Sequence, residues 1–147
     1  MLEEVNHGKE SFIPNNDMTV DEIRTEVEKY QVELEKPIPV EINYCIERLS
    51  YLSGIQSRTG YLLAQARKIV RTVKDDRLSI HLNNIRDNFL SSKIQNALLD
   101  GFAIEETYLV EILEKMHVSC SQQMEVCRTI ISKEKEEMKF SGITPKF

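Results

Sequence analysis

Apolar residues recur along this chain at steps of three and four, the spacing of one face of a helix. The first such stripe is Val20, Ile23, Val27, Tyr30 and Leu34. It is preceded by Thr19-Val20-Asp21-Glu22, a capping box in which the Thr19 hydroxyl accepts from the Glu22 amide and the Glu22 carboxylate reaches back. The pattern predicts a helix over residues 20–34. Pro37 and Pro39 end it, because proline removes an amide donor and restricts the residue before it.

From Val40 to Val73 the residues Ile42, Cys45, Leu49, Leu52, Gln56, Thr59, Leu63, Ala66, Val70 and Val73 alternate steps of three and four without a slip. That is a heptad-like seam of about nine turns. Ile46, Ile55, Leu62 and Ile69 widen it on one side, so the helix faces more than one neighbour. Gly54 and Gly60 interrupt its middle, and there either two helices approach closely or the helix kinks. Lys74-Asp75-Asp76-Arg77 reads as an end or turn. Leu78, Leu82, Ile85 and Phe89 then space a shorter third helix. Ser91-Ser92 is a cap for a further start with the stripe Ile94, Leu98 and Phe102. A second long helix covers residues 104–139, with the seam Leu109, Ile112, Met116, Cys120, Gln123, Cys127, Ile130 and Glu134, widened by Met124 and Ile131.

The fold this implies is all-α. Two long amphipathic helices pair in an antiparallel helical bundle or coiled coil with shorter helices, and the assembly is oligomeric. Residues 1–18 read as a flexible N-terminal arm, 19–139 as the helical domain and 140–147 as an irregular tail. Polar Gln56, Thr59 and Gln123 inside the seams specify register. With only 5 Gly and 4 Pro in 147 residues, the chain has few turn signals and a sheet-rich fold is excluded.

Composition narrows the chemistry. No apolar run approaches the ~18 residues of a membrane span, and MLEEVNHGKE lacks the basic start and apolar block of a secretory signal. Three cysteines, Cys45, Cys120 and Cys127, all sit in helical patterns, which points to a reducing cytoplasm rather than a disulfide framework. Cys120 and Cys127 lie seven apart near Met116 and Met124. Zinc wants a tighter ligand pair, so these are packing residues and no metal or other cofactor is expected. His7, His81 and His117 form no motif with a carboxylate and a nucleophile, and His117 is expected near a helix-boundary surface. No Gly-rich phosphate loop, nucleophile elbow or H-E-x-x-H is present, and the chain reads as a non-enzyme.

The net charge is −5, unevenly spread. Residues 1–50 hold 12 acidic and 5 basic side chains, residues 51–100 hold 4 and 8, and residues 101–147 hold 8 and 6. Only the middle third can attract an anion. Arg67, Arg71 and Lys74 share one helix face, with Lys68 beside them, Arg58 further up and Arg77 just beyond. Such a cluster either meets phosphate or pairs with the acidic N-terminal helix. Tyr51 and Tyr61 are the only aromatics near enough to stack on bases.

Two blocks carry a resemblance. Arg58-Thr59-Gly60-Tyr61-Leu62-Leu63-Ala64-Gln65-Ala66, and Cys127 to Lys133 followed by Lys135-Glu136-Glu137-Met138, resemble blocks in small helical proteins of bacteriophages and prophages of gut Bacteroides-type bacteria. The match covers roughly residues 45–139. More loosely, the helix order and the polar-ended last helix are similar to recombination-mediator proteins of T4-like phages, oligomers that load a recombinase onto single-stranded DNA. The resemblance implies an oligomeric accessory protein of DNA recombination or replication in the host bacterial cytoplasm. Its partners would be copies of itself and single-stranded DNA or a phage or host recombination protein. Arg58, Arg67, Lys68, Arg71, Lys74 and Arg128 are then the phosphate-binding candidates. The alternative is a structural or interaction protein: a virion component, or one that binds a host factor or a signalling nucleotide.

Overall fold

A computed structural model describes residues 17–87 and 91–142. His7, most of the N-terminal arm, Phe89 and residues 143–147 of the tail lie outside the described residues. Four helices follow one another: α1 (Val20–Leu34), α2 (Ile42–Asp87), α3 (Ser92–Gly101) and α4 (Ile104–Phe140). The described residues contain no strand.

The start of α1 carries the expected capping box, with both reciprocal bonds between Thr19 and Glu22 formed. Its stripe is buried at Ile23, Val27 and Leu34. Ser91 caps α3 through its hydroxyl, as its position before the stripe predicts. Gly142 follows α4 at φ +72°, the left-handed conformation that glycine adopts without steric cost.

Two expectations need correction. The chain does not turn at Lys74-Asp75-Asp76-Arg77, and no separate helix begins at Leu78. Both segments belong to α2, which runs unbroken for 46 residues. A charged tetrapeptide contains no helix breaker. The acids and bases at 74–77 are good enough helix formers to be carried by the turns on either side. Gly54 and Gly60 do not interrupt α2 either. A Cβ at Gly54 meets open space, and one at Gly60 meets only the His117 ring at 3.8 Å, an ordinary contact.

The second correction concerns which face of α2 is buried. The core residues are Cys45, Arg48, Leu52, Ile55, Thr59, Leu62 and Ala66, again at alternating steps of three and four. Cys45, Leu52, Thr59 and Ala66 belong to the expected seam. Their companions are Arg48 and two of the residues expected to widen the seam, Ile55 and Leu62, in place of Leu49, Gln56 and Leu63, which are only half-buried. Arginine in the row hid the true register. On α4 the buried set is Leu109, Leu113, Met116, Cys120, Met124 and Cys127, so Leu113 and Met124 replace Ile112 and Gln123 at the centre.

α2 and α4 make the principal contact, and α1 lies on both. Arg48 meets Gln123, Gln56 meets Ser121 and Arg67 meets Glu114, so partners fall along α4 as they rise along α2. Every core side chain lies within residues 23–34, 45–66 or 103–127. That is the stretch over which α1 completes a three-helix core.

Candidate functional site

The cations singled out in the sequence are, with one exception, engaged inside the chain. Arg58 grips Glu26 of α1 with two nitrogens, at 2.5 and 2.8 Å, and lies 5.1 Å over the Tyr61 ring. The bond to Arg58 holds the Glu26 carboxyl below its ordinary range, against the opposing effect of burial, and the same pair raises Arg58 further. Arg67 pairs with Glu114 of α4 at 2.7 Å, Lys68 with Asp17 at 2.6 Å and Lys74 with Asp100 of α3 at 3.0 Å. Arg128 pairs with Glu125 one turn earlier on α4. Arg77 donates to the Phe102 carbonyl. Only Arg71 has no such partner among the described residues.

The arrangement is a set of staples. Along α2 one basic stretch reaches α1, then α4, then Asp17 ahead of α1, then α3. Three of these pairs, those of Arg67, Lys68 and Lys74, are solvent-exposed, each worth at most about 1 kcal/mol. Each also sets a carboxylate beside its cation, which lowers the positive potential a phosphate would meet.

The polar group that sequence reasoning missed is Arg48. It is 5% exposed, yet among the described residues no carboxylate forms an ion pair with it. Its Nη2 instead donates to the Glu33 carbonyl at 2.7 Å and to Gln123 Oε1 at 3.1 Å. Gln123 in turn donates to the Leu34 carbonyl at 2.8 Å. Glu33 and Leu34 are the last residues of α1, where carbonyls have no intrahelical partner and the helix dipole is negative. α1 has no basic residue of its own in its last turn. Arg48 and Gln123 supply the missing C-terminal charge and donors from α2 and α4, and so tie the end of α1 to both helices. The Arg48 Nε is left buried without a partner. The signal was present: Arg48 lies three residues after Cys45 and four before Leu52.

The three cysteines are fully buried and unpaired. The Cys45 thiol donates to the Pro39 carbonyl at 3.4 Å. Burial pushes the Cys45 and Cys120 thiols above their ordinary range, away from nucleophilic thiolate chemistry. His117 is not at a helix boundary but in the middle of α4, its ring against Gly60 and its Nδ1 buried without a partner. His81 stacks on Phe102, ring centres 5.3 Å apart. Among the described residues no three His, Cys, Asp or Glu side chains gather as a metal site, and no described helix is long and apolar enough to cross a membrane.

A shallow groove runs between α1 and α4, but Val27, Leu34, Leu109 and Met116 along it are buried and Ile112 is half-buried. The open apolar surface is at the α3 end of the molecule. None of the side chains of α3 is buried, and Ile94 and Leu98 of its stripe are 48% and 39% exposed. Ile80 on α2 and Ile104 at the start of α4 are 74% and 68% exposed nearby in the chain. By fold and surface the molecule is a helical bundle with exposed apolar side chains at its α3 end. No known protein family, curated protein or solved structure matches the chain.

Proposed function

We propose that the protein is a non-enzymatic helical interaction protein: an antiparallel α2/α4 coiled coil, braced by α1, that self-associates through its α3 end. The observation that supports this most is α3 itself. An isolated helix of ten residues is marginal in water, because nucleation costs more than so few hydrogen bonds return. α3 nevertheless carries a capped N-terminus and an apolar stripe, Ile94 and Leu98, that its own chain leaves about half exposed. Ile80 and Ile104 add further exposed apolar side chains, which suits burial against another copy. We assign its work to the bacterial cytoplasm, where buried thiols stay reduced, and to the accessory class of phage protein that the two sequence blocks resemble.

Sedimentation velocity tests the reading. The native chain is expected to sediment as an oligomer. Ile80→Ser with Leu98→Ser should shift it to a monomer of unchanged helicity. A native chain that is monomeric at tens of micromolar would end the proposal.

Binding of single-stranded DNA or a recombination protein is a second reading, favoured by the shared face of Arg67, Arg71 and Lys74 and by the unpaired Arg71. DNA affinity should then fall steeply with salt, and Arg71→Glu should remove at least tenfold of it without changing the melting curve. Absence of binding at low salt would dismiss direct DNA contact.

A further inference from the structure

The three cysteines are all fully buried, but their neighbours differ. Cys120 and Cys127 are seven residues apart on α4, about 10 Å along the helix axis. A disulfide needs its Cα atoms within about 7 Å, so those two cannot join.

Cys45 and Cys127 come together from different helices. Arg48 of α2 meets Gln123 of α4 at 3.1 Å. Partners fall along α4 as they rise along α2. One turn back from Arg48 is Cys45 and one turn on from Gln123 is Cys127, so the two stand at the same level of the seam. Both belong to the one buried core. Burial raises the Cys45 thiol, and the Cys127 thiol adds to that rise by charge and by hydrogen bond, as only a neighbouring sulfur can.

We propose that Cys45 and Cys127 form an oxidation site, a dithiol that a hydroperoxide converts to a disulfide joining α2 to α4. At rest the core shields both sulfurs and keeps them as thiols. Cys45 is the one that an oxidant reaches first. It lies in the first turn of α2, and its thiol donates to the Pro39 carbonyl at 3.4 Å. The segment over it, residues 36–41, is outside any helix, and only Ile38 in it is not exposed. Lifting that segment uncovers Cys45 while α4 stays folded, a local opening that costs less than global unfolding.

Oxidation proceeds in two steps. The Cys45 sulfur attacks a peroxide oxygen and the O–O bond breaks. The thiol proton leaves with the departing oxygen as an alcohol, or as water from hydrogen peroxide, and Cys45 is left as a sulfenic acid. The Cys127 sulfur then attacks the Cys45 sulfur. The S–S bond forms, the S–O bond breaks, and the hydroxide takes the Cys127 proton and leaves as water. The peroxide gains the two electrons that the two thiols lose. A dithiol reductant reverses the bond by exchange.

The disulfide closes a long loop through α2, α3 and α4, which restrains the unfolded chain. It also sits one turn from Arg48 and Gln123, which hold the end of α1. Oxidation therefore locks the three-helix core, and the site is independent of the α3 surface and of any self-association.

The test uses the full chain, reduced, freed of reductant and treated with hydrogen peroxide under native conditions. Thiols titrated after denaturation should fall from three to one. The mass should drop by two hydrogens, and fragmentation should place the bond between Cys45 and Cys127. The melting midpoint should rise by about 5–10 °C and return on addition of dithiothreitol. Cys120→Ala should form the bond at the native rate, whereas Cys45→Ala and Cys127→Ala should not form it while keeping the helical circular dichroism spectrum. Retention of all three thiols would overturn the proposal. So would a bond to Cys120, a bond between chains, a bond that forms only in denaturant, or a melting midpoint lowered by the cross-link.

Discussion

In the middle of the molecule α1 lies across α2 and α4; at the α3 end no comparable third helix covers the pair. The consequences are read in the side chains. In the middle, Ile23, Cys45, Leu52, Leu62, Leu113, Cys120 and Cys127 are cut off from water altogether. At the α3 end, Ile80, Ile94 and Ile104 are 74%, 48% and 68% exposed, though they are as apolar. Two helices bury only the strip between them. A third closes one side of that strip, and a core appears where all three run together. The same pattern that makes a core in one place makes a sticky surface in the other.

Substitution should separate the two regions sharply. Leu113→Ala in the covered middle is expected to lower unfolding free energy by about 3 kcal/mol. Ile80→Ala at the α3 end should move it by less than about 0.5 kcal/mol. Urea melts of both variants at a concentration too low for association check this, and equal losses would erase the distinction. Arg48→Ala comes next. It strips the donors from the α1 C-terminus and strands Gln123, at an expected cost of about 2 kcal/mol. Hydrogen exchange should show the loss concentrated in α1, and a uniform loss would mean that Arg48 does not anchor that helix.

A smaller effect belongs to the Glu26–Arg58 pair. Because the folded state holds the Glu26 carboxyl below its ordinary value of 4.5, its contribution is present above pH 4.5 and is lost as pH falls through the lower folded value. Both partners are partly exposed, which screens the pair and limits it to about 1 kcal/mol. Glu26→Gln should therefore cost that much at pH 7 and little once the carboxyl is protonated in both states. A deficit that persists unchanged into acid would assign the loss to packing. Smallest is Gly54→Ala, which faces open space in a helix interior. It should raise the melting midpoint by the equivalent of about 0.5–1 kcal/mol, and a fall would reveal an unseen neighbour at that face.

Much of this architecture was legible in the residues. The bounds of α1, the start of α3 and both ends of α4 follow from caps, prolines and apolar spacing, which are local effects. The run of α2 through 74–87 was not, because a charged tetrapeptide resembles a turn in composition while offering nothing that breaks a helix. The cation cluster was visible as a group, and pairing with the acidic N-terminal helix was one of its two readings, which Arg58 fulfils through Glu26; the partners of Arg67 and Lys74 on α4 and α3 were not visible. Glu26, Asp100 and Glu114 are 32, 26 and 47 residues away from the cations they meet. Nothing in the residues around Arg67 or Lys74 marks those carboxylates out.

Taken alone, the order of amino acids dictated the helices and the periodicity of their greasy faces, since backbone hydrogen bonding and side-chain spacing act within a few residues. It left open which of two overlapping heptad rows on α2 turns inward, because Leu49 and Ile55 look equally apolar in isolation. Tertiary structure made that choice. It laid the end of α1 over Arg48 and Gln123, so that a buried charge is met by the unpaired carbonyls and dipole of another helix. Only residues far apart in the chain and close in space could answer that charge.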